Sequence, residues 1–237
     1  MMRPTVMLRV ASDGDGDVAR SGDVAVLRPA RCGPGRRGGL AVVTDGATVG
    51  FDGPRWARLV ASALAARGRW WSPVAYRRAI ESARQHWTAE PPALLSHYHE
   101  EAWRRGAGTT VAATVVDWSH RCRRIRALTV GDSIVAVVRR GAVVETWPDL
   151  TAGGFGLRPQ LVCTTGPIPA PVIGVRRLAP DDQVFVLTDA LADWALGNPD
   201  AWHRLGEIAP GEFGKLVDEL RASRRIEDDD TLLVRIA

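Results

Sequence analysis

Hydrophobic positions along the chain fall into two rhythms. Leu40-Ala41-Val42-Val43-Thr44 is an apolar run that reads as a buried strand, and it stops abruptly at Asp45-Gly46. Upstream, residues 5–11 and 23–27 read as strands and residues 31–39 as a glycine-rich turn. The strands beginning at Asp23 and Leu40 are therefore expected to be hairpin neighbours, and whether Asp23 and Asp45 meet depends on the twist between them. Three helical patterns follow. Residues 54–67 repeat Trp56, Leu59, Val60, Ala63 and Leu64 on one face, a second helix opens at Ser72-Pro73 and ends before Pro91, and a third spans residues 93–105. From Gly108 the period returns to two. Residues 109–118, 125–130, 134–138 and 142–147 read as four strands in one meander, with Gly131-Asp132-Ser133 as the tight turn in its middle.

Residues 150–171 break the pattern. They are rich in Gly and Pro and too long for a simple connector, so residues 153–171 are expected to form a flap that governs substrate choice. A buried strand, residues 183–187, then ends at Thr188-Asp189 and runs into a helical turn that sets Asp189 and Asp193 four apart on one side. A last helix over residues 211–224 and a closing strand over 232–236 flank Glu227-Asp228-Asp229-Asp230.

Composition narrows the class. With 237 residues, 46% of them hydrophobic and 24% charged, the chain is expected to fold as one domain, residues 1–237. Of 31 basic residues all but Lys215 are arginine, but 27 acids are interspersed with them, so the net +4 forms no block suited to nucleic acid. Cys32, Cys122 and Cys163 lack both metal-ligand spacing and a disulfide framework, which suits a reducing cytoplasm. No apolar run approaches the roughly 20 residues of a membrane span, so no membrane partner is expected. The alternating Asp13, Asp15 and Asp17 suggest a calcium loop, but Val18 and Val24 stand where such a loop needs glycine and glutamate. His97 and His99 lie on different helix faces and lack the partner glutamate of a zinc helix.

The remaining chemistry is carboxylate. Asp45, Asp132, Asp189 and Asp228 each sit at a strand boundary with no His or Cys pattern beside them, the donor set of Mg²⁺ or Mn²⁺. Aspartate is also common at ordinary strand ends, so spacing alone leaves both readings open.

Five segments in order resemble the metal-dependent, protein phosphatase 2C-like serine/threonine phosphatases. Thr44-Asp45-Gly46-Ala47-Thr48-Val49-Gly50 resembles that family's Asp-Gly-x-x-x-Gly, Gly108-Thr109-Thr110 its Gly-Ser/Thr-Thr, and Val130-Gly131-Asp132-Ser133 its Val-Gly-Asp-Ser. Thr188-Asp189-Ala190-Leu191-Ala192-Asp193 resembles Ser-Asp-Gly-Leu-x-Asp, and Asp228-Asp229-Asp230-Thr231 resembles Asp-Asn/Asp-x-Thr.

The resemblance implies an α+β fold, a four-layer α-β-β-α sandwich of two stacked antiparallel sheets flanked by helix pairs. It implies two Mn²⁺ or Mg²⁺ ions, with a possible third. Asp45 would bridge the pair, the Gly46 carbonyl would bind one ion, and Asp189 and Asp228 the other. Asp23 would hold a metal-bound water, and Asp132, Asp189 and Asp193 would form the weaker third site. Catalysis would rest on Asp45, Asp189 and Asp228. Two cations about 3.5–4 Å apart would generate hydroxide for in-line attack on phosphorus, with no side-chain nucleophile. Substrates would be phosphorylated proteins of a Ser/Thr kinase, in cytoplasmic signalling. Arg20, the arginine just before the Asp23 strand, is the candidate phosphate ligand. Two departures, Ala190 for glycine and Ser21-Gly22-Asp23 for Asn-Glu/Gln-Asp, motivate the alternative of a catalytically silent phosphatase-like regulatory or phosphopeptide-binding module.

Overall fold

Twelve strands and six α-helices stand among the described residues of a computed structural model, namely 6–10, 22–33, 36–47, 51–67, 72–89, 97–119, 122–156 and 158–236. In chain order these are β1 (Val6–Val10), β2 (Val24–Gly33), β3 (Arg36–Thr44), α1 (Gly53–Arg67), α2 (Pro73–Ala89), α3 (His97–Arg105), β4 (Gly108–Thr109), β5 (Val111–Ser119), β6 (Cys122–Val130), β7 (Ile134–Arg139) and β8 (Ala142–Trp147). Then come β9 (Val162–Cys163), β10 (Val172–Arg177), β11 (Asp182–Leu187), α4 (Asp189–Gly197), α5 (Ala201–Glu207), a 3₁₀ turn at Pro210–Glu212, α6 (Phe213–Ala222) and β12 (Thr231–Ile236). The chain is α+β. One antiparallel sheet has the order β1-β12-β11-β7-β8, another the order β10-β6-β5-β3-β2, and β4 pairs with β9 alone.

Alternation along each strand divides its side chains between two environments. Val43, Ala112, Ile125 and Ala127 of one sheet and Val135, Val184, Val186 and Val234 of the other form a single apolar cluster, so the sheets bury one face against each other. The opposite faces meet helices. Leu40, Val42 and Val111 pack with Trp56, Val60 and Leu64 of α1 and Ile80 of α2, while Ile134, Phe185 and Leu187 pack with residues of α4, α5 and α6. Trp56 is fully enclosed, and its Nε1–H donates to the Val162 carbonyl at 2.7 Å, which satisfies the one polar atom this large side chain carries inward.

Several expectations change here for physical reasons. The glycine-rich stretch 31–39 is mostly strand, since Gly38 and Gly39 are paired on both sides, with β2 and with β5, and two ladders outweigh weak local propensity. The expected single meander is split between the sheets: β5 and β6 belong to one, β7 and β8 to the other. The chain crosses at Gly131-Asp132-Ser133. Residues 161–168 are pinned and not a free flap, because β9 pairs with β4 and Arg84 of α2 donates to the carbonyls of Cys163 and Thr165. The short strand β10 and helix α5 were not expected. Gly174 interrupts the apolar pattern of β10 for a steric reason: Trp147 of β8 lies against it, and a Cβ there would stand 2.1 Å from the indole Nε1. Gly174→Ala is therefore expected to destabilise the fold by about 1–3 kcal/mol through overpacking. Chemical denaturation checks this, and an unchanged midpoint would contradict the packing described.

Candidate metal centre

β3 ends with Thr44 buried and its Oγ1–H donating to the Ala57 carbonyl at 3.1 Å, which fixes the strand end against α1. The next carbonyl, that of Asp45, accepts from the Thr110 N–H at 2.9 Å and the Thr109 hydroxyl at 2.7 Å. The backbone is thus held from the side, and the Asp45 carboxyl is presented at the edge of the sheet. Gly46 follows in a closed space: a Cβ there would stand 2.9 Å from the Gly53 carbonyl oxygen and 3.1 Å from that of Gly22. Its N–H donates to the Gly22 carbonyl at 3.1 Å, which brings Asp23 alongside. Asp23 and Asp45 do meet. Asp23 is fully buried, facing Asp45, Asp230 and the Thr188 hydroxyl.

The crossover from β6 to β7 delivers the next carboxylate. Gly131 has φ +88°, and a Cβ on it would lie 2.8 Å from Thr110 Cγ2 and 2.9 Å from the Gln160 carbonyl, so the turn requires glycine. The Thr110 and Ser133 hydroxyls are 2.6 Å apart and tie the turn to the start of β5. Asp132 is left 6% exposed, its Oδ1 buried with no hydrogen-bond partner among the described residues.

Asp189 opens α4. Thr188 anchors it, the Thr188 Oγ1 accepting from the Leu232 N–H of β12 at 3.0 Å, and the Ala190 N–H donates to Asp189 Oδ1 at 2.7 Å. Alanine at 190 is accommodated: the residue has no positive φ, and its methyl packs against the helix core of this sheet.

The acidic run before β12 behaves differently from the sequence expectation. Asp228, expected as a ligand, is half exposed and stands 3.5 Å from Arg221 Nε. Asp229 is instead the residue whose charge acts on Asp45 and Asp189. Asp230 also joins, its Oδ2 accepting from the Gly22 N–H at 2.6 Å. Three consecutive acids give no local signal of which one turns inward, and the Gly22 contact spans 208 residues, so neither was visible in the sequence. Asp193, expected in a third metal site, accepts from the Gly153 N–H through Oδ1 at 2.6 Å and so holds the loop after β8 against α4. Arg20 lies outside the described residues, as do Asp13, Asp15 and Asp17.

Electrostatics follow from this crowding. Burial, and then the charges of Asp189 and Asp229, push Asp45 up to about 8. Burial and then Asp189 push Asp132 up to about 6. Burial raises Asp189 and Asp229 as well, with neighbouring carboxylates adding to it, and Asp23 is raised too, by burial and then by Asp45 and Asp230. Such a group holds protons against its solution tendency and would release them to a bound divalent cation. The donors, all hard oxygens from the ends of both sheets, fit Mg²⁺ or Mn²⁺ in kind. Among the described residues no three carboxylate, imidazole or thiolate groups stand in coordination geometry around one point.

Beside Asp132 opens a cavity of about 310 Å³ between the 150–160 loop and the start of β10, lined by Gly131, Asp132, Gly154, Arg158, Gln160 and Val172 among others. Among the described residues Arg158 is its one cationic wall residue. The loop rests on Asp193, so Asp193→Ala should remove about 1 kcal/mol of local stability, an ordinary net hydrogen-bond contribution. Limited proteolysis is expected to cut within residues 151–160 faster in that variant, and an unchanged cleavage rate would mean that the Gly153 contact does not hold the loop.

No protein-family model and no curated protein matches the chain by sequence. Solved structures do. A bacterial serine phosphatase superposes with a TM-score of 0.69 at 16% identity, over 100% of this chain and 98% of its own. A serine/threonine phosphatase from Staphylococcus aureus gives 0.67 at 17% identity, over 100% and 95%. The catalytic domain of the serine threonine protein phosphatase PstP, in complex with two manganese ions, gives 0.62 at 17% identity, over 98% and 96%. Likeness at this level of identity shows a shared fold along the whole chain.

Proposed function

We propose that the protein is a divalent-metal-dependent phosphatase that hydrolyses phosphoserine or phosphothreonine in protein substrates. One observation carries this reading: buried aspartates from strand ends of both sheets crowd together, each raised by burial and by its neighbours' charge, in a fold shared end to end with serine/threonine phosphatases, one of them solved with two manganese ions. The three apolar clusters fit the four layers of an α-β-β-α sandwich, with the aspartates at one edge.

In this proposal Asp45, the Gly46 carbonyl, Asp189 and Asp229 would hold two Mn²⁺ or Mg²⁺ ions, Asp229 taking the place first expected of Asp228. Asp23 would hold a metal-bound water, and Asp132 would contribute to a third ion. Divalent cations at such a site supply Lewis acidity toward phosphoryl oxygens and toward water. The chain's own residues do the rest. Gly46 keeps the backbone close enough for its carbonyl to take part, and Thr109 and Thr110 hold Asp45 at a fixed angle. Asp23, buried and raised well above the carboxylate range, is a proton store next to Asp45. Arg20, and Arg158 across the cavity, are the candidates for binding the phosphate dianion as a bidentate partner. No helix among the described residues is long and apolar enough to cross a membrane. The proposed setting is signalling in the cytoplasm, opposite a Ser/Thr kinase.

Ala190 and Ser21-Gly22-Asp23, where the resemblance expects glycine and Asn-Glu/Gln-Asp, motivate one competitor, a phosphopeptide-binding module that has kept the fold without turnover. Titrating chelator-treated protein with Mn²⁺ separates the two, using p-nitrophenyl phosphate and a phosphoserine peptide as substrates. The phosphatase reading requires phosphate release that rises with Mn²⁺ and disappears on chelation. Peptide binding with no release at any metal concentration would establish the competitor.

A further inference from the structure

The four outer edges of the two large sheets are not protected alike. Exposed edge strands invite pairing with other chains and are usually blunted by proline, by bulges or by a covering element. β1 lies beside α6. β2 carries Pro29 and a register shift between Arg31 and Gly33, and β8 is bulged opposite Val137 and Val138. β10 has none of these among the described residues. It pairs only with β6, and Val172 and Val175 are 46% and 47% exposed.

The orientation of this edge follows from its ladder. Leu178 N–H donates to the Arg123 carbonyl at 3.1 Å, so in the antiparallel register Arg176, Gly174 and Val172 turn their backbone groups toward β6. Ile173, Val175 and Arg177 then turn theirs outward. The strand is fixed in place: Arg176 pairs with Glu145 of β8 at 2.7 Å, and Trp147 packs on Gly174. Its two ends differ chemically. At the far end Arg177 stands directly opposite Arg124, both exposed, with Arg126 one step along and Asp117 opposite Arg124 on β5; like charges facing each other across a ladder are unfavourable. At the near end Val172 forms part of the wall of the cavity that contains Asp132. The six residues span about 20 Å.

We propose that an extended acidic segment of the phosphoprotein substrate adds to β10 as an extra strand. It pairs with the outward groups of Ile173, Val175 and Arg177, sets its acidic side chains against Arg177 and Arg124, and delivers the phosphorylated residue past Val172 into the cavity beside Asp132. The proposal rests on the phosphatase reading of that centre for the fate of the phosphate, but not for the docking itself. Main-chain pairing supplies affinity with little demand on sequence, and the arginines supply the preference for acid.

The test measures fluorescence anisotropy of a labelled acidic phosphoserine peptide and of its unphosphorylated twin, with steady-state kinetics on the first and on p-nitrophenyl phosphate. Val175→Pro removes an outward N–H without touching the β6 ladder. It is expected to weaken binding of both peptides about tenfold, as loss of a main-chain contact in strand addition should, and to raise the peptide KM to match while leaving p-nitrophenyl phosphate kinetics unchanged. Val175→Glu and Arg177→Glu alter only exposed side chains and should weaken acidic peptides too, so the test survives if the proline variant fails to fold. Peptide affinity equal to wild type in the folded variants overturns the docking proposal. So does a dimer in sedimentation that Val175→Pro dissolves, since the edge would then serve a second copy. Val175-dependent binding in a protein that hydrolyses nothing supports the docking and overturns the phosphatase reading; hydrolysis with a peptide KM indifferent to these substitutions does the reverse.

Discussion

Asp45→Asn is expected to lower Mn²⁺-dependent hydrolysis of a phosphoserine peptide by on the order of 10²–10³-fold, the range seen when one electrostatic group at a reacting centre is removed, while leaving the fold intact or more stable. The two halves of this expectation have separate causes. The backbone of Asp45 is held through its carbonyl by Thr109 and Thr110, and asparagine keeps that carbonyl. The side chain is nearly isosteric, so Thr44, Gly46 and Asp23 need not move. What changes is charge. In the metal-free chain Asp45 is pushed up to about 8 by burial and by Asp189 and Asp229, and an amide cannot ionise against those neighbours. The variant should therefore melt at least as high as wild type in chelator, trading function for stability. Near-normal turnover in the folded variant would sink the proposed role of Asp45. A large loss of stability with chelator present would mean that the carboxylate is a structural group and not a ligand.

What the sequence made legible, and what it did not, divides along the distance over which a feature is determined. Asp45, Asp132 and Asp189 stood out because each ends a buried strand or sits in a tight turn, a property of a few neighbouring residues. α1 and α2 were legible for the same reason, their apolar faces repeating within a turn or two. The division of β5–β6 and β7–β8 between two sheets was not legible, because a Gly-Asp-Ser turn inside one meander and a crossover between sheets have the same local pattern. The difference lies in the Gly131 contacts with Thr110 and Gln160. That the charge of Asp229, and not of Asp228, acts on Asp45 and Asp189 depends on the direction in which the chain enters β12 and on Arg221 beside Asp228. β10 escaped because its pattern is broken at Gly174, and that glycine answers to Trp147 on the other sheet. Asp193 was recognised as a residue with a role, but its partner, the Gly153 N–H, belongs to an irregular loop with no periodicity to read.

The same crowded carboxylates predict an unusual pH dependence. An acid whose folded-state pKa is raised above its unfolded value is penalised in the native state once it ionises, so its effect on stability is unfavourable above the folded pKa and fades as pH falls toward the unfolded one. Asp45 at about 8 and Asp132 at about 6, with Asp23, Asp189 and Asp229 also raised, place this window between about 8 and the ordinary carboxylate range. In chelator the protein should gain stability as pH is lowered from about 8 to about 5. Asp182 works in the opposite sense. Burial alone would raise it, but hydrogen bonds from Arg139 and from the Ala179 N–H, with the Arg139 charge, leave it lowered. Its contribution is present above the unfolded carboxylate pKa and lost only below that, so stability should turn down again at still lower pH. Mn²⁺ replaces protons as the counter-charge. At saturation, with ligand near a hundred times its Kd, binding contributes about 2.7 kcal/mol, or roughly 5–10 °C for a chain of this size. That gain should be larger at pH 8 than at pH 6, where protons compete for the same oxygens. Differential scanning fluorimetry from pH 5 to 8, with chelator and with Mn²⁺, measures both limbs, and Asp45→Asn isolates the cluster from the rest of the titrating groups. Wild-type and Asp45→Asn curves that run parallel across this range, with equal Mn²⁺ shifts, would show that the aspartates neither titrate together nor bind the ion.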